Sequence, residues 1–231
     1  MDPFYLGAYW GSRQESSARC GQRLANCVAL LSEIDEAFAS WFRRAASKAA
    51  AKTPVDTDAE SLGRLLAQGV NRRDVGGDVI EELGFSIGLW NRARPAVGLS
   101  GTVGAYPSFQ RVLNSVVLDF PPPEAEALRL YEPSVAQAIF DAVVEAWEPN
   151  WATWTTHALR NAQGAAPREP VVGWMTYLET AVSEDLPRAT SRPLLGGTVI
   201  TIGQDVSGAG EQAVLDVRGR LTTIGALRPI A

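Results

Sequence analysis

Apolar positions recur along this chain with two periods, and the switches between them mark out its elements. From Phe4 to Trp10 the chain reads FYLGAYW, a short aromatic-rich strand that Gly11 and Ser12 turn towards a helix. Cys20, Leu24, Cys27, Val28 and Leu31 then share one helical face, with Arg19, Arg23 and Asn26 outside it, which predicts a helix from about Gln14 to Leu31. Beyond 32–35, the spacing of Ile34, Phe38, Trp41, Phe42 and Ala45 predicts a second helix, leading into an Ala/Lys-rich stretch from Ala45 to Thr53. Thr57 and Glu60 match a capping box, ahead of a helix that uses Leu62, Leu65 and Leu66 and stops at Gly69.

After an irregular charged turn at 71–77 the period drops to two. Strand-like segments at 84–91, 100–106 and 114–120, with short links, predict an antiparallel meander that Pro121-Pro122-Pro123 ends. A helix follows from Pro133 to Trp147, with Val135, Ile139, Val143 and Ala146 inward. The stretch Glu145–Glu179 holds Trp147, Trp151, Trp154 and Trp174, four of the seven tryptophans, so it is expected to anchor the core. It reads as a helix end, a strand at 151–156, a helical turn, a Pro/Gly-rich loop and a strand at 172–178. A flexible Pro/Arg/Ser segment at 184–193, a strand at 197–202 and a final helix at 210–227 complete the chain. Helices and strands are grouped as much as alternated. That pattern favours an α+β fold, a mixed or largely antiparallel sheet packed with helices in one domain spanning 1–231.

Composition narrows the class. The 46% hydrophobic and 20% charged content is that of a soluble globular protein, and no apolar run reaches membrane-spanning length. The first residues lack a basic segment and an unbroken apolar core, so a secretory signal is not expected and the cytoplasm is the expected location. Cys20 and Cys27 are seven positions apart on one helix, about 10 Å of rise, too far for a disulfide, and are expected to be small buried hydrophobes. With a single histidine and no close cysteine pair, neither a metal site nor a cofactor is expected. The net charge is −5, and residues 119–148 carry seven acids against Arg129 alone. Such a balance argues against nucleic acid as a direct partner and for a basic protein surface. Asp141, Glu145 and Glu148, at i, i+4 and i+7, are expected to form an outward acidic stripe, which Glu124, Glu126 and Glu132 extend.

Several patterns invite a catalytic interpretation. Gly84-Phe85-Ser86-Ile87-Gly88 matches the GxSxG elbow, and Asp141 and His157 follow in hydrolase order. Yet Phe85, Ile87 and Leu89 alternate straight through the serine, as in a plain strand, and His157 is better placed to cap or hydrogen-bond than to act as a base. Neither lysine has an acid two positions before it, so the nuclease pattern fails. The glycines of 98–104 lack the Lys-Ser/Thr of a phosphate loop and fit a turn.

The segments FYLGAYWGSRQES, VNRRDVGGDVIEELGFSIGLWN, NSVVLDFPPP, EAWEPNWATWTTHAL and VGWMTYL, in that order, resemble the immunity protein 52 family of bacterial polymorphic-toxin systems. The resemblance runs from Phe4 to about Ile202. It implies an α+β fold, no enzymatic activity, and a cytoplasmic antidote that neutralises a restriction-endonuclease-like nuclease toxin, often one delivered by type VI secretion. The motif residues it singles out, chiefly structural in expectation, are Tyr9, Trp10, Arg13, Glu15, Trp90, Asn91, Trp151 and Trp174. The alternatives are a serine hydrolase using Ser86 and His157, or an adaptor for another basic protein.

Overall fold

The computed structural model describes residues 2–44, 52–107 and 112–230. Strand β1 (Phe4–Trp10) is buried at every position but Tyr9. Ser16 starts helix α1 (Ser17–Ile34) by accepting the Arg19 N–H, and the predicted stripe from Cys20 to Leu31 faces inward. Neither cysteine is in a disulfide and both are buried; burial above all, with Glu15 adding, pushes the Cys20 thiol up to about 12.

The expected second helix does not form. Asp35 is extended (φ −150°), and its carboxylate accepts the Ala37 N–H and starts only a 3₁₀ turn, Glu36–Phe38. The chain then runs out as β2 (Trp41–Arg43), where the aromatics suit a pleated surface, and returns as β3 (Pro54–Val55). Ala45 and most of the Ala/Lys-rich stretch lie outside the described residues. Helix α2 (Ala59–Gln68) is capped by Asp58, one residue after the expected Thr57; its carboxylate accepts the Ser61 N–H, and Glu60 pairs with Arg64. Gly69 stops the helix as predicted.

Strands β4 (Phe85–Trp90), β5 (Gly98–Val103) and β6 (Asn114–Phe120) follow. The glycine run expected to turn is therefore mostly strand. A Cβ at Gly101 would lie 2.3 Å from the Ser115 carbonyl oxygen, so glycine here permits close backbone approach, and the turn comes only at Gly104 (φ +72°). Helix α3 spans Pro133–Trp147, as predicted. Then come β7 (Trp151–Thr156), α4 (His157–Ala162), β8 (Met175–Leu178), β9 (Ala189–Leu194), β10 (Gly197–Ile202) and α5 (Glu211–Thr223). Much of the segment expected to be flexible, 184–193, is thus an ordered strand.

The chain divides into two compact units, Tyr9–Leu118 and Met1–Ala8 with Asp119–Ala231. In Tyr9–Leu118 the strand order is β3-β2-β4-β5-β6, with β2/β3, β2/β4 and β4/β5 antiparallel, and α1 packs against α2. The helix pair needs its glycines, since a Cβ on Gly21 would come within 2.5 Å of the Gly63 nitrogen. In the other unit the order is β1-β7-β8-β10-β9, with β7/β8, β8/β10 and β10/β9 antiparallel. All six residues of β7 are buried, so this strand is covered on both faces. Around it the aromatic core gathers: Trp154 lies 5.6 Å from Trp174, 5.8 Å from Tyr131 and 4.7 Å from Phe120, centroid to centroid. Antiparallel strands with grouped helices make the fold α+β.

Candidate functional site

The three residues of the hydrolase pattern are each engaged in something else. Ser86 sits inside β4, opposite Thr102 of β5, and its backbone N–H donates to the Gly69 carbonyl. No strand-turn-helix elbow forms there. His157 is the exposed first residue of α4. The cap is its neighbour Thr156, whose hydroxyl accepts the Leu159 N–H, while the imidazole stacks on Tyr5 at 4.9 Å. The capping role expected of His157 therefore belongs to Thr156. Asp141 pairs with Arg192.

That last pair also changes the acidic stripe. Helix α3 turns Ile139, Phe140, Val143, Val144 and Trp147 into the core and leaves Glu145 exposed. Asp141, expected to lie free on that face, is instead half-buried against Arg192 of β9. Burial pushes its carboxyl up, and the guanidinium pulls it partly back. Glu148 ends the helix as its C-cap in the left-handed region (φ 46°, ψ 58°), with its N–H donated to the Val144 carbonyl. Beyond it the register of β7 on β8 sets Asn150 beside Glu179: the Glu179 N–H donates to the Asn150 carbonyl, and the Asn150 amide to the Glu179 carboxylate at 2.7 Å. Tyr177 of β8 is buried, and its phenol is pushed up by burial first, then by the charges of Glu179 and Glu148. Glu145, Glu148 and Glu179 are exposed at this end of α3.

Glu124, Glu126 and Glu132 are exposed too, on and beside the 3₁₀ run Ala125–Tyr131 that precedes α3. Fifteen residues of helix separate Glu132 from Glu148, about 22 Å of rise. They therefore form a second acidic group at the opposite end of the helix, and the single patch expected from the sequence splits in two. Glu179 escaped the sequence reading because it follows an apolar strand. The signal was its register opposite Asn150, legible only once the strands are paired.

Most of the motif residues hold the fold. Glu15, with a side chain only 10% exposed, accepts from Arg23 at 2.8 Å and pairs with Arg13 at 3.2 Å, while the Arg13 guanidinium lies 4.7 Å from the Trp10 ring centroid. The buried Asn91 amide donates to the carbonyls of Ala37 and Pro95, and its oxygen accepts the Val97 N–H. That closes the 91–97 loop. Trp151 and Trp174 are buried, and Tyr9 and Trp90 are half-buried.

Among the described residues, no cluster of three His, Cys, Asp or Glu side chains is placed to hold a metal ion. No described helix is long and apolar enough to cross a membrane. The exposed acids around α3 thus lie in two groups, one at each end of the helix.

The family model described as Immunity protein 52 matches residues 2–206. No curated protein matches the chain. Among solved structures, the Pseudomonas aeruginosa T6SS protein PA0821 shares the fold, with a TM-score of 0.54 at 13% identity over 99% of this chain and 78% of that one.

Proposed function

The chain belongs to the immunity protein 52 family, and from that premise we propose that it binds and neutralises a cognate toxin of an interbacterial system, of the type VI secretion or polymorphic-toxin kind. The toxin is a restriction-endonuclease-like nuclease, met in the cytoplasm. The family match over residues 2–206 carries this proposal, and the surface chemistry agrees with it. A nuclease holds a polyanion, so its cleft is basic. An inhibitor of net charge −5 with Glu145, Glu148 and Glu179 exposed at one helix end imitates a run of phosphates. Complementary charge of this kind speeds encounter and disfavours wrong partners. Tight binding needs no catalytic group on the inhibitor.

Co-expression with the toxin tests the function, and binding kinetics test the surface. Glu145→Lys with Glu148→Lys is expected to weaken toxin binding by on the order of 2–5 kcal/mol for each desolvated charge pair lost. Asp141 is left intact, because a lysine beside Arg192 would disturb the fold. Glu124→Lys with Glu126→Lys is the matched control at the other acidic group. Wild-type association is expected to slow as salt rises, since steering charges are screened beyond about 8 Å at physiological ionic strength. Failure to rescue cells removes the function. Rescue with unchanged affinity in the Glu145/Glu148 pair moves the interface elsewhere.

A further inference from the structure

We propose that the open edge of β9 takes up an extended segment of the toxin as an added strand. This rests on the toxin reading and gives that partner a second contact on the unit that holds Asp119–Ala231. Strand β9 ends the strand order, with β10 its one neighbour among the described residues. Its backbone groups alternate between that neighbour and the open side. The Gly203 N–H donates to the Arg188 carbonyl, and the hairpin closes at Leu194↔Gly197, so 188, 190, 192 and 194 bond inward. Ala189, Ser191 and Pro193 therefore turn their backbones outward. Proline has no N–H, and the Ala189 N–H donates to the Leu186 carbonyl. The edge thus presents three carbonyls but one open N–H, that of Ser191.

Backbone groups at that regular spacing are complementary to another extended backbone. The excess of acceptors decides whose it is. A second copy of β9, turned antiparallel about Ser191, would set Pro193 opposite Ala189. One has no N–H and the other's is already bonded, so carbonyls would face each other without a donor. A strand of another protein, free of proline, supplies a donor to all three. The edge also has a place for a side chain. Pro193 pairs with Thr198, whose hydroxyl accepts the Val182 N–H at 2.9 Å, so the 181–182 loop lies over the face that Ser191 and Pro193 share. A hollow of about 250 Å³ opens there, with Ala181, Val182 and Pro193 as its apolar lining. A residue paired with Ser191 or Pro193 points its side chain to that same face, so the incoming strand is apolar at that position.

The toxin is the partner because the edge continues the acidic group at the end of α3. Register carries Leu178 of β8 through Thr198 of β10 to Pro193 of β9. Glu179, next after Leu178, is thus two strands from the edge strand, about 10 Å. On the other face Arg192 of β9 pairs with Asp141, one helical turn before Glu145. A protein held by Glu145, Glu148 and Glu179 is within reach of β9.

The test is binding of a catalytically inactive toxin to the full chain, read by titration and by amide hydrogen exchange. The Ser191 amide is expected to exchange fast in the unbound chain and slowly in the complex. Ser191→Pro removes the one outward N–H and leaves the ladder to β10 intact. It is expected to weaken binding about fivefold or more, the loss of one hydrogen bond. Ala181→Trp fills the hollow without touching the row of backbone groups and is expected to do the same; it decides the matter if Ser191→Pro melts early. A chain that neither rescues cells nor binds the toxin overturns the toxin reading itself. Rescue and binding with a Ser191 amide as fast as in the unbound chain, or with the folded variants at wild-type affinity, overturns the added strand alone. Protection of that amide that grows with the concentration of the chain by itself makes the occupant a second copy, and overturns the proposal too.

Discussion

Glu148 holds a backbone position where helices usually place glycine. At φ 46° its Cβ crowds the carbonyl oxygen, a cost of roughly 1–2 kcal/mol that glycine avoids. Glu148→Gly is therefore expected to stabilise the fold, by roughly 1 kcal/mol at most once the added freedom of the unfolded chain is subtracted. In the same variant toxin affinity is expected to fall, because a carboxylate leaves the surface. Thermal melting and a binding titration on one sample check both halves. A variant that gains stability and keeps full affinity would show that Glu148 is only a strained cap. The contrast with Asp141 shows what a sequence can and cannot give at this scale. Spacing of i, i+4 and i+7 placed Asp141, Glu145 and Glu148 near one helix face. The partner that removes Asp141 from solvent, Arg192, is 51 positions away on another element, and no local pattern announces it.

Among the elements, long periodic ones were legible and short ones were not. The α3 stripe and the β7 alternation carry their own period, and their bounds match the expected ones. The 32–45 segment fits a helical period as well as a strand; its first residues end α1, and the extended Asp35, whose carboxylate accepts the Ala37 N–H, starts only a 3₁₀ turn. Strand β9 was misread for a different reason: Pro, Arg and Ser are common in loops, and only pairing with β10 makes the segment a strand. Its proline has a particular place. The two-residue turn Leu195-Gly196, both at positive φ, closes the hairpin at Leu194↔Gly197. Counting back by twos makes Arg192 and Arg188 bond inward, and the Gly203 N–H indeed donates to the Arg188 carbonyl. Position 193 thus aims its backbone at the open edge, where proline supplies no donor. Pro193→Val restores that donor and is expected to promote self-association through β9. Light scattering across a concentration series would detect it, and a variant as monodisperse as wild type would show that the edge is protected otherwise.

For the whole molecule the open matter is how many folding units it has. Two compact units are distinguishable, yet their boundaries, 8/9 and 118/119, do not fall in linkers. They cut through β1 and β6, and each of these strands gives residues to both units. Separate domains normally meet in exposed, flexible connections where few contacts cross. A strand unravelled at one end is weakened at the other, because ladder bonds and alternating side chains run its whole length. The chain is therefore expected to unfold as one cooperative unit. Calorimetry gives a sharp measure, since unfolding enthalpy scales with size at roughly 0.7 kcal/mol per residue near 60 °C. A single transition then has a van't Hoff enthalpy on the order of 160 kcal/mol, equal to its calorimetric enthalpy, whereas two independent units would each give roughly 80. Tryptophan fluorescence separates the possibilities as well, because Trp10, Trp41 and Trp90 belong to one unit and Trp147, Trp151, Trp154 and Trp174 to the other. Single-tryptophan reporters at Trp41 and Trp174, both fully buried, are expected to melt together. Midpoints that differ between the two reporters, with a van't Hoff enthalpy near half the calorimetric one, would establish two domains instead.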